Sequence, residues 1–162
     1  MPHGVVREII PAPAADVFRL IHDYDRRLEG DTLLQRAFMV DGRVPCVGAI
    51  AVCKGRPHLG GIELRTEYVS FDPPRVAAVR MVNRPPFFDT WAATIRHESL
   101  SDSSSAVEYK YHFRARPGWL RFILHPLMNS AFKWETRRRL RALKTFLERS
   151  SNDPDETPAE CS

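Results

Sequence analysis

The segment from Pro117 to Arg149 constrains the fold most, because it carries the only long helical signal in the chain. Leu120, Ile123, Leu124 and Leu127 share one face at about 100° per residue, and Met128, Ala131, Phe132, Ala142, Leu143 and Phe146 form a second stripe beyond Pro126. Pro126 should interrupt a continuous helix, so Trp119 to His125 is expected as a separate turn or a kinked start. Glu135 and Arg139 fall inside the apolar stripe, four residues apart. They read either as an ordinary i to i+4 ion pair at the edge of the packed face, or as a carboxylate turned inward, where loss of water would raise its pKa.

What precedes this segment is strand-like. Val5 to Ile10 is a β-branched run ended by Pro11, and Pro13 then suits the first turn of a short helix, Ala14 to Tyr24, with Val17, Phe18, Ile21 and Tyr24 on one face and Leu20 widening it. Strands follow at Leu33 to Val40, Val47 to Lys54, Ile62 to Tyr68, Arg75 to Val82 and Phe87 to Glu98. Asp41-Gly42 reads as a hairpin dipeptide, Gly60-Gly61 as a turn, Phe71 to Pro74 as another turn, and Ser99 to Ser105 as a polar loop. The last strand alternates most cleanly: Val107, Tyr109, Tyr111 and Phe113 inside, Glu108, Lys110, His112 and Arg114 outside. Strand, helix, consecutive antiparallel strands and one long helix make an α+β domain.

A chain of 162 residues, 43% apolar, suits one domain, assigned to residues 1–149. Residues 150–162 are polar and acidic with two prolines and are expected to be a disordered tail. Cys46, Cys53 and Cys161 form no CxxC pair, which argues against a disulfide framework or structural zinc and for a reducing cytoplasm. The expected location is therefore cytoplasmic, with no leader-like segment at Met1 to Gly4 and no run approaching the ~18 apolar residues of a spanning helix.

Ile10-Pro11-Ala12-Pro13-Ala14-Ala15-Asp16-Val17-Phe18, running to Asp23-Tyr24-Asp25, resembles the opening strand and first helix of the SRPBCC superfamily, the START-like or polyketide cyclase/dehydrase group. Tyr68 to Pro74 is similar to its central strand and double turn, and Trp119 to Glu148 to its terminal helix. The chain departs from the pattern after Asp25, where many members have a tryptophan and this one has Arg26-Arg27-Leu28-Glu29-Gly30. The resemblance implies a helix-grip, birch-pollen-allergen-like fold: a curved antiparallel sheet of about seven strands around the last helix, with a short helical segment after the first strand. It also implies a cavity between sheet and helix for a lipid, quinone or polyketide-like compound, without implying a reaction.

Within such a cavity, the expected ligand-binding residues are Thr66, Tyr68, Met81, Trp91, Tyr109, Tyr111, Phe113, Met128, Phe132 and Glu135. The aromatic set reads first as core; if a cavity is present, the tyrosine hydroxyls are its natural orienting groups. The six histidines have no metal-ligand spacing, and no metal or cofactor is expected; His97 continues the inner face of Trp91 to Ile95, and His112 faces out. No GxSxG elbow, phosphate loop or cysteine nucleophile context is present, so no catalytic residue is assigned. Arg137, Arg138, Arg139, Arg141 and Lys144 form a basic segment, read first as a solvated face, then as a contact for an acidic membrane surface, and last as a nucleic-acid site.

The leading expectation is binding or transport of a small hydrophobic ligand. A polyketide cyclase, aromatase or dehydrase using Glu135 or a tyrosine as acid or base is the alternative. A protein-interaction module comes third, favoured if the protein's own aromatic side chains close the cavity.

Overall fold

The computed structural model describes residues 2–152. Strand β1 (His3–Ile10) leads through Pro11–Pro13 into α1 (Ala14–His22), followed by the one-turn α2 (Arg27–Gly30). Six strands then run consecutively: β2 (Leu34–Met39), β3 (Ile50–Gly55), β4 (Glu63–Asp72), β5 (Val76–Met81), β6 (Phe88–Ser101) and β7 (Ser104–Ala115). Helix α3 (Arg121–Asn152) closes the fold after a 3-10 turn at Gly118–Leu120.

All pairings are antiparallel, in the order β1-β7-β6-β5-β4-β3-β2, so the first strand returns to lie beside the last. The ladder shifts register at Leu34/Arg36, Tyr68/Ser70, Phe88/Thr90 and Ser99/Ser101. Each irregularity adds local twist, and the sheet curls into a half-barrel around α3. In β7 the period-two pattern places Val107, Tyr109, Tyr111 and Phe113 in the core and leaves His112 exposed. His97, at the end of the inner row of β6, is buried with them. Gly4 crosses directly beneath the Tyr111 ring, where any Cβ would collide with it.

Several boundaries differ from the sequence expectation. Helix α1 ends at His22 rather than Tyr24, because Asp23 turns extended and its Oδ1 accepts the backbone N–H groups of Asp25 and Arg26. Asp41 and Gly42 do adopt left-handed φ of 57° and 61°, yet they do not join two strands directly, since β3 begins only at Ile50. The Ser99 to Ser105 stretch is strand on both sides of a tight turn, because its serines pair across the β6–β7 ladder. Helix α3 runs unbroken through Pro126. The proline lies near the helix start on its exposed side, so the carbonyl of Phe122, which loses its partner, faces water rather than the core. Ser150 to Asn152 belong to this helix, whereas the rest of the expected tail, residues 153–162, lies outside the described residues.

Candidate functional site: a cavity under the long helix

The start of α3 is tied to the end of β7. Arg121 Nε donates to the Ala115 carbonyl at 2.8 Å, and the Ala115 N–H donates to His125 Nε2 at 3.2 Å. From there the helix packs on β1 and β7 and, further along, on α2. Gly30 allows that last approach, since a Cβ there would sit 3.2 Å from Leu143 Cδ1. Space is left on the side of β2, β3 and β4, and it forms a cavity of about 410 Å³. Its sheet wall includes Leu34, Cys53, Ile62, Leu64 and the buried Phe88, its rim the exposed Phe87, and its roof Leu124, Met128, Ala131, Phe132 and Glu135 of α3.

Glu135 is the ionisable side chain most deeply placed in that wall, at 4% exposure. Its Oε1 lies 3.6 Å from His58 Nε2 and 3.9 Å from Arg138 Nη1, while Oε2 is buried with no hydrogen-bond partner among the described residues. His58, on the turn between β3 and β4, is half open to solvent and also lines the cavity. Burial raises the Cys53 thiol above its ordinary pKa, so the cysteine wall of the cavity is neutral.

The Glu135–Arg139 ion pair anticipated from spacing is not formed. Arg139 instead reaches Asp31, with Nε 2.8 Å from Oδ2, and Arg27 Nε lies 3.5 Å from the same oxygen. Asp31 Oδ1 accepts the Leu33 N–H at 3.0 Å. The two guanidinium groups also lie over aromatic rings, Arg27 over Tyr24 at 5.0 Å and Arg139 over Tyr109 at 5.9 Å. Arg27 comes from the corner after Asp25 where the sequence departs from the SRPBCC pattern it resembles, and here its side chain is largely buried.

Of the ten expected ligand residues, Met128, Phe132 and Glu135 line the cavity. Trp91, Tyr109, Tyr111 and Phe113 belong to the main core, with Met81 packed against it, and Thr66 is buried on β4. Tyr68 lies in a second aromatic cluster with Phe18, His22 and Phe71. The hydroxyls of Tyr68 and Tyr111 are already engaged within the protein. Tyr68 is hydrogen-bonded to His22 Nδ1 at 2.8 Å and to the Tyr24 hydroxyl at 3.0 Å, and Tyr111 donates to Asn129 Oδ1 at 3.1 Å. Burial pushes Tyr68 and Tyr109 up in pKa, so both stay protonated at neutral pH.

Sequence reasoning missed His58 and the wall formed by Leu34, Ile62 and Phe88. Ile62 and Leu64 did carry a signal, as the inner alternation of β4, whereas His58 sits on a turn that has no period to read. A second opening of about 760 Å³ lies outside the grip, between α1, the β2–β3 connection and Pro73-Pro74. Its walls mix Phe18 and Phe71 with Arg19, Asp23, Asp25 and Arg43, which makes it a solvated trench rather than an apolar pocket. Among the described residues no cluster of His, Cys, Asp and Glu could hold a metal ion, and no helix is long and apolar enough to cross a membrane.

The architecture matches solved structures at low sequence identity. An aromatase/cyclase, Zhui from Streptomyces sp. R1128, superposes with a TM-score of 0.81 at 13% identity, covering 96% of this chain and 98% of that one. The di-domain aromatase/cyclase BexL from the BE-7585A biosynthetic pathway gives 0.75 at 17% identity, covering 94% of this chain, which spans 48% of the di-domain protein. A START superfamily protein from Mycobacterium smegmatis gives 0.73 at 12% identity, with coverage of 92% and 99%. No curated protein matches in sequence. The family of polyketide cyclases, dehydrases and lipid-transport proteins matches residues 1–148, and this chain, with its seven-stranded grip and its cavity beneath the long helix, belongs to that family.

Proposed function

We propose that the chain binds a small, largely hydrophobic molecule bearing one polar group in the cavity beneath α3, with Glu135 orienting that group. The observation that carries this reading is the buried Glu135 oxygen without a partner, set in an otherwise mostly apolar wall. A buried acceptor left open costs free energy that a ligand hydroxyl or amine can recover by hydrogen bonding. The volume of about 410 Å³ falls within the ordinary range for small-molecule sites, and burial of apolar ligand surface supplies about 25 cal/mol per Å². Lipids, quinones and polyketide-like phenols all fit this description.

Native mass spectrometry of the purified protein, followed by displacement of a fluorescent apolar probe by candidate phenols and lipids, tests the reading. A hydroxyl-bearing ligand should lose about tenfold in affinity on Glu135→Gln, whereas its deoxy analogue should lose little. If no compound displaces the probe, or if both analogues respond equally to the substitution, the assignment of Glu135 fails.

The 3.6 Å approach of His58 to Glu135 supports a second reading, in which the pair acts as general acid and base in a cyclisation or dehydration of a poly-ketone chain. His58 reaches solvent and could pass a proton to the buried carboxylate. Turnover of a poly-β-ketone thioester that disappears in both Glu135→Gln and His58→Gln, with ligand binding retained, would establish the enzyme; no turnover by the wild-type protein removes it.

A further inference from the structure

The outer side of the same helix is unlike an ordinary protein surface. Trp119, Phe122, Ile123, Leu127 and Trp134 are large apolar side chains, between 50% and 78% exposed. At about 100° per residue the α3 members of this set fall in one sector of the helix, and Lys133, Arg137, Arg138 and Arg141 occupy the same sector from beside Trp134 to about two turns beyond it. All four cations are exposed, and the Arg138 guanidinium lies 5.4 Å from the centre of the Trp134 ring. Between Trp119 and Arg141 the sequence contains a single carboxylate, Glu135, and that one is buried in the cavity wall. Arg141 lies 3.6 Å from Glu8 and Arg138 3.9 Å from Glu135, both long contacts, and no carboxylate among the described residues pairs with Lys133 or Arg137, so the outer face is apolar with an excess of positive charge.

We infer that this face docks the protein on the surface of an anionic lipid bilayer, with the Trp119–Trp134 side chains in the headgroup–acyl boundary and the Lys133–Arg141 cations on lipid phosphates. The charge balance chooses the occupant. A covering surface must supply both apolar depth and negative charge, and an anionic bilayer presents the two together. Tryptophan and arginine suit that boundary because each joins an apolar body to a polar or charged end. The helix lies along the surface, since none in the described residues is long and apolar enough to cross. Leu124 and Met128 line the cavity from the same turns, and Phe87, exposed on the cavity rim, lies at the opening. Docking would thus set the roof and rim of the cavity against the lipid. The inference depends on the outer face alone and holds whatever the cavity binds.

Flotation of the full chain with phosphatidylcholine vesicles and with vesicles containing about one-third phosphatidylglycerol tests it. The expected result is partition to the anionic vesicles only, weakened at about 0.5 M NaCl, with a blue shift of the tryptophan emission as Trp119 and Trp134 leave water. The triple variant Phe122→Ser, Ile123→Ser, Leu127→Ser should lose roughly tenfold or more in partition. The double variant Lys133→Glu, Arg137→Glu should lose a similar factor while keeping its apolar residues. Displacement of the cavity probe should be unchanged in both variants, which separates this surface from the ligand site and reports that the variants are folded. Absence of wild-type flotation, variants that float equally well, or a dimer in sedimentation velocity whose tryptophans are already shielded without lipid would each overturn the proposal. The last result would assign the face to a second copy of the chain.

Discussion

Arg139 and Glu135 stand one helical turn apart on α3 and have opposite surroundings. Around Arg139 the helix is packed against the sheet and α2, with Leu140 and Leu143 buried, and the guanidinium is matched by Asp31 and a tyrosine ring. Around Glu135 the helix stands off from β2–β4, its neighbours Met128 and Phe132 are only partly buried, and one carboxylate oxygen is unmatched. One half of the helix is closed structure and the other is the roof of an opening. Asp31 Oδ2 and Arg27 Nε also lack a hydrogen bond of good geometry, yet Asp31 holds two guanidinium groups at 2.8 and 3.5 Å, whereas the Glu135 contacts are 3.6 and 3.9 Å; the closer pairing serves the packed structure, and under the proposed function the looser one serves a ligand.

The comparison can be broken most severely at Asp31. Replacing it with alanine would leave Arg27 and Arg139 facing each other in the interior without a carboxylate, and the expected loss is about 3–5 kcal/mol in urea unfolding. An unchanged midpoint would mean that the two guanidinium groups reach water in solution. Truncating apolar residues on either side gives a smaller contrast. Leu143→Ala should cost about 2–5 kcal/mol because it opens a new void in a filled region, whereas Met128→Ala should cost less than about 2 kcal/mol, since it only enlarges space already present. Equal costs would mean that the cavity is closed in solution.

Acid should act on a different part of the closed interior. Burial first, then the nearby Arg27 charge, lowers the His22 pKa from 6.5 to about 2, and burial lowers that of His97 to about 4. Both are neutral when folded, and both rings contact Phe18. Their folded-state pKa values lie below the unfolded value, so the unfolded chain binds protons first as pH falls. Stability should therefore be constant above about pH 7 and decline between about pH 6.5 and 4, by up to about 1.4 kcal/mol per pH unit for each histidine. Replacing His97 with leucine should flatten the upper part of this decline, as read from urea midpoints between pH 7 and 4.5. A decline of the same slope in that variant would exclude His97 as a contributor.

How far these differences were legible in the sequence depended on whether a residue belonged to a period. The strands, the terminal helix and the inward side of β7 follow from alternation, and the grip fold followed from the order of its short motifs. The stripe of α3 turned Met128 and Phe132 toward the sheet, but spacing could not tell whether Glu135 faces in or out, nor which of Glu135 and Arg139 would find a partner. Asp31 lies across the fold in a segment with no periodic signal, and it wins Arg139 because α2 carries it onto the helix at Gly30. The engagement of the Tyr68 and Tyr111 hydroxyls is illegible for a related reason. Their inward direction was readable from alternation, whereas the partners that occupy their hydroxyls, His22, Tyr24 and Asn129, come from distant helix and loop positions.

The smallest expected effect is the most discriminating. In Glu135→Leu the ligand-free protein should unfold within about 1 kcal/mol of wild type at pH 7, or be slightly more stable. The reason is that Glu135 is held only by contacts of 3.6 and 3.9 Å and keeps an unmatched oxygen, so removing its charge relieves a desolvation cost that those contacts do not repay. Leucine also extends the apolar wall already formed by Met128 and Phe132. A loss of about 3 kcal/mol, comparable to that at Asp31, would mean that Glu135 is a structural ion-pair member like Arg139 and that the two halves of the helix do not differ in kind. A near-neutral outcome, combined with loss of binding for a hydroxyl-bearing ligand, would separate the two: a charge retained for stability at one turn, and a charge retained for a ligand at the turn before it.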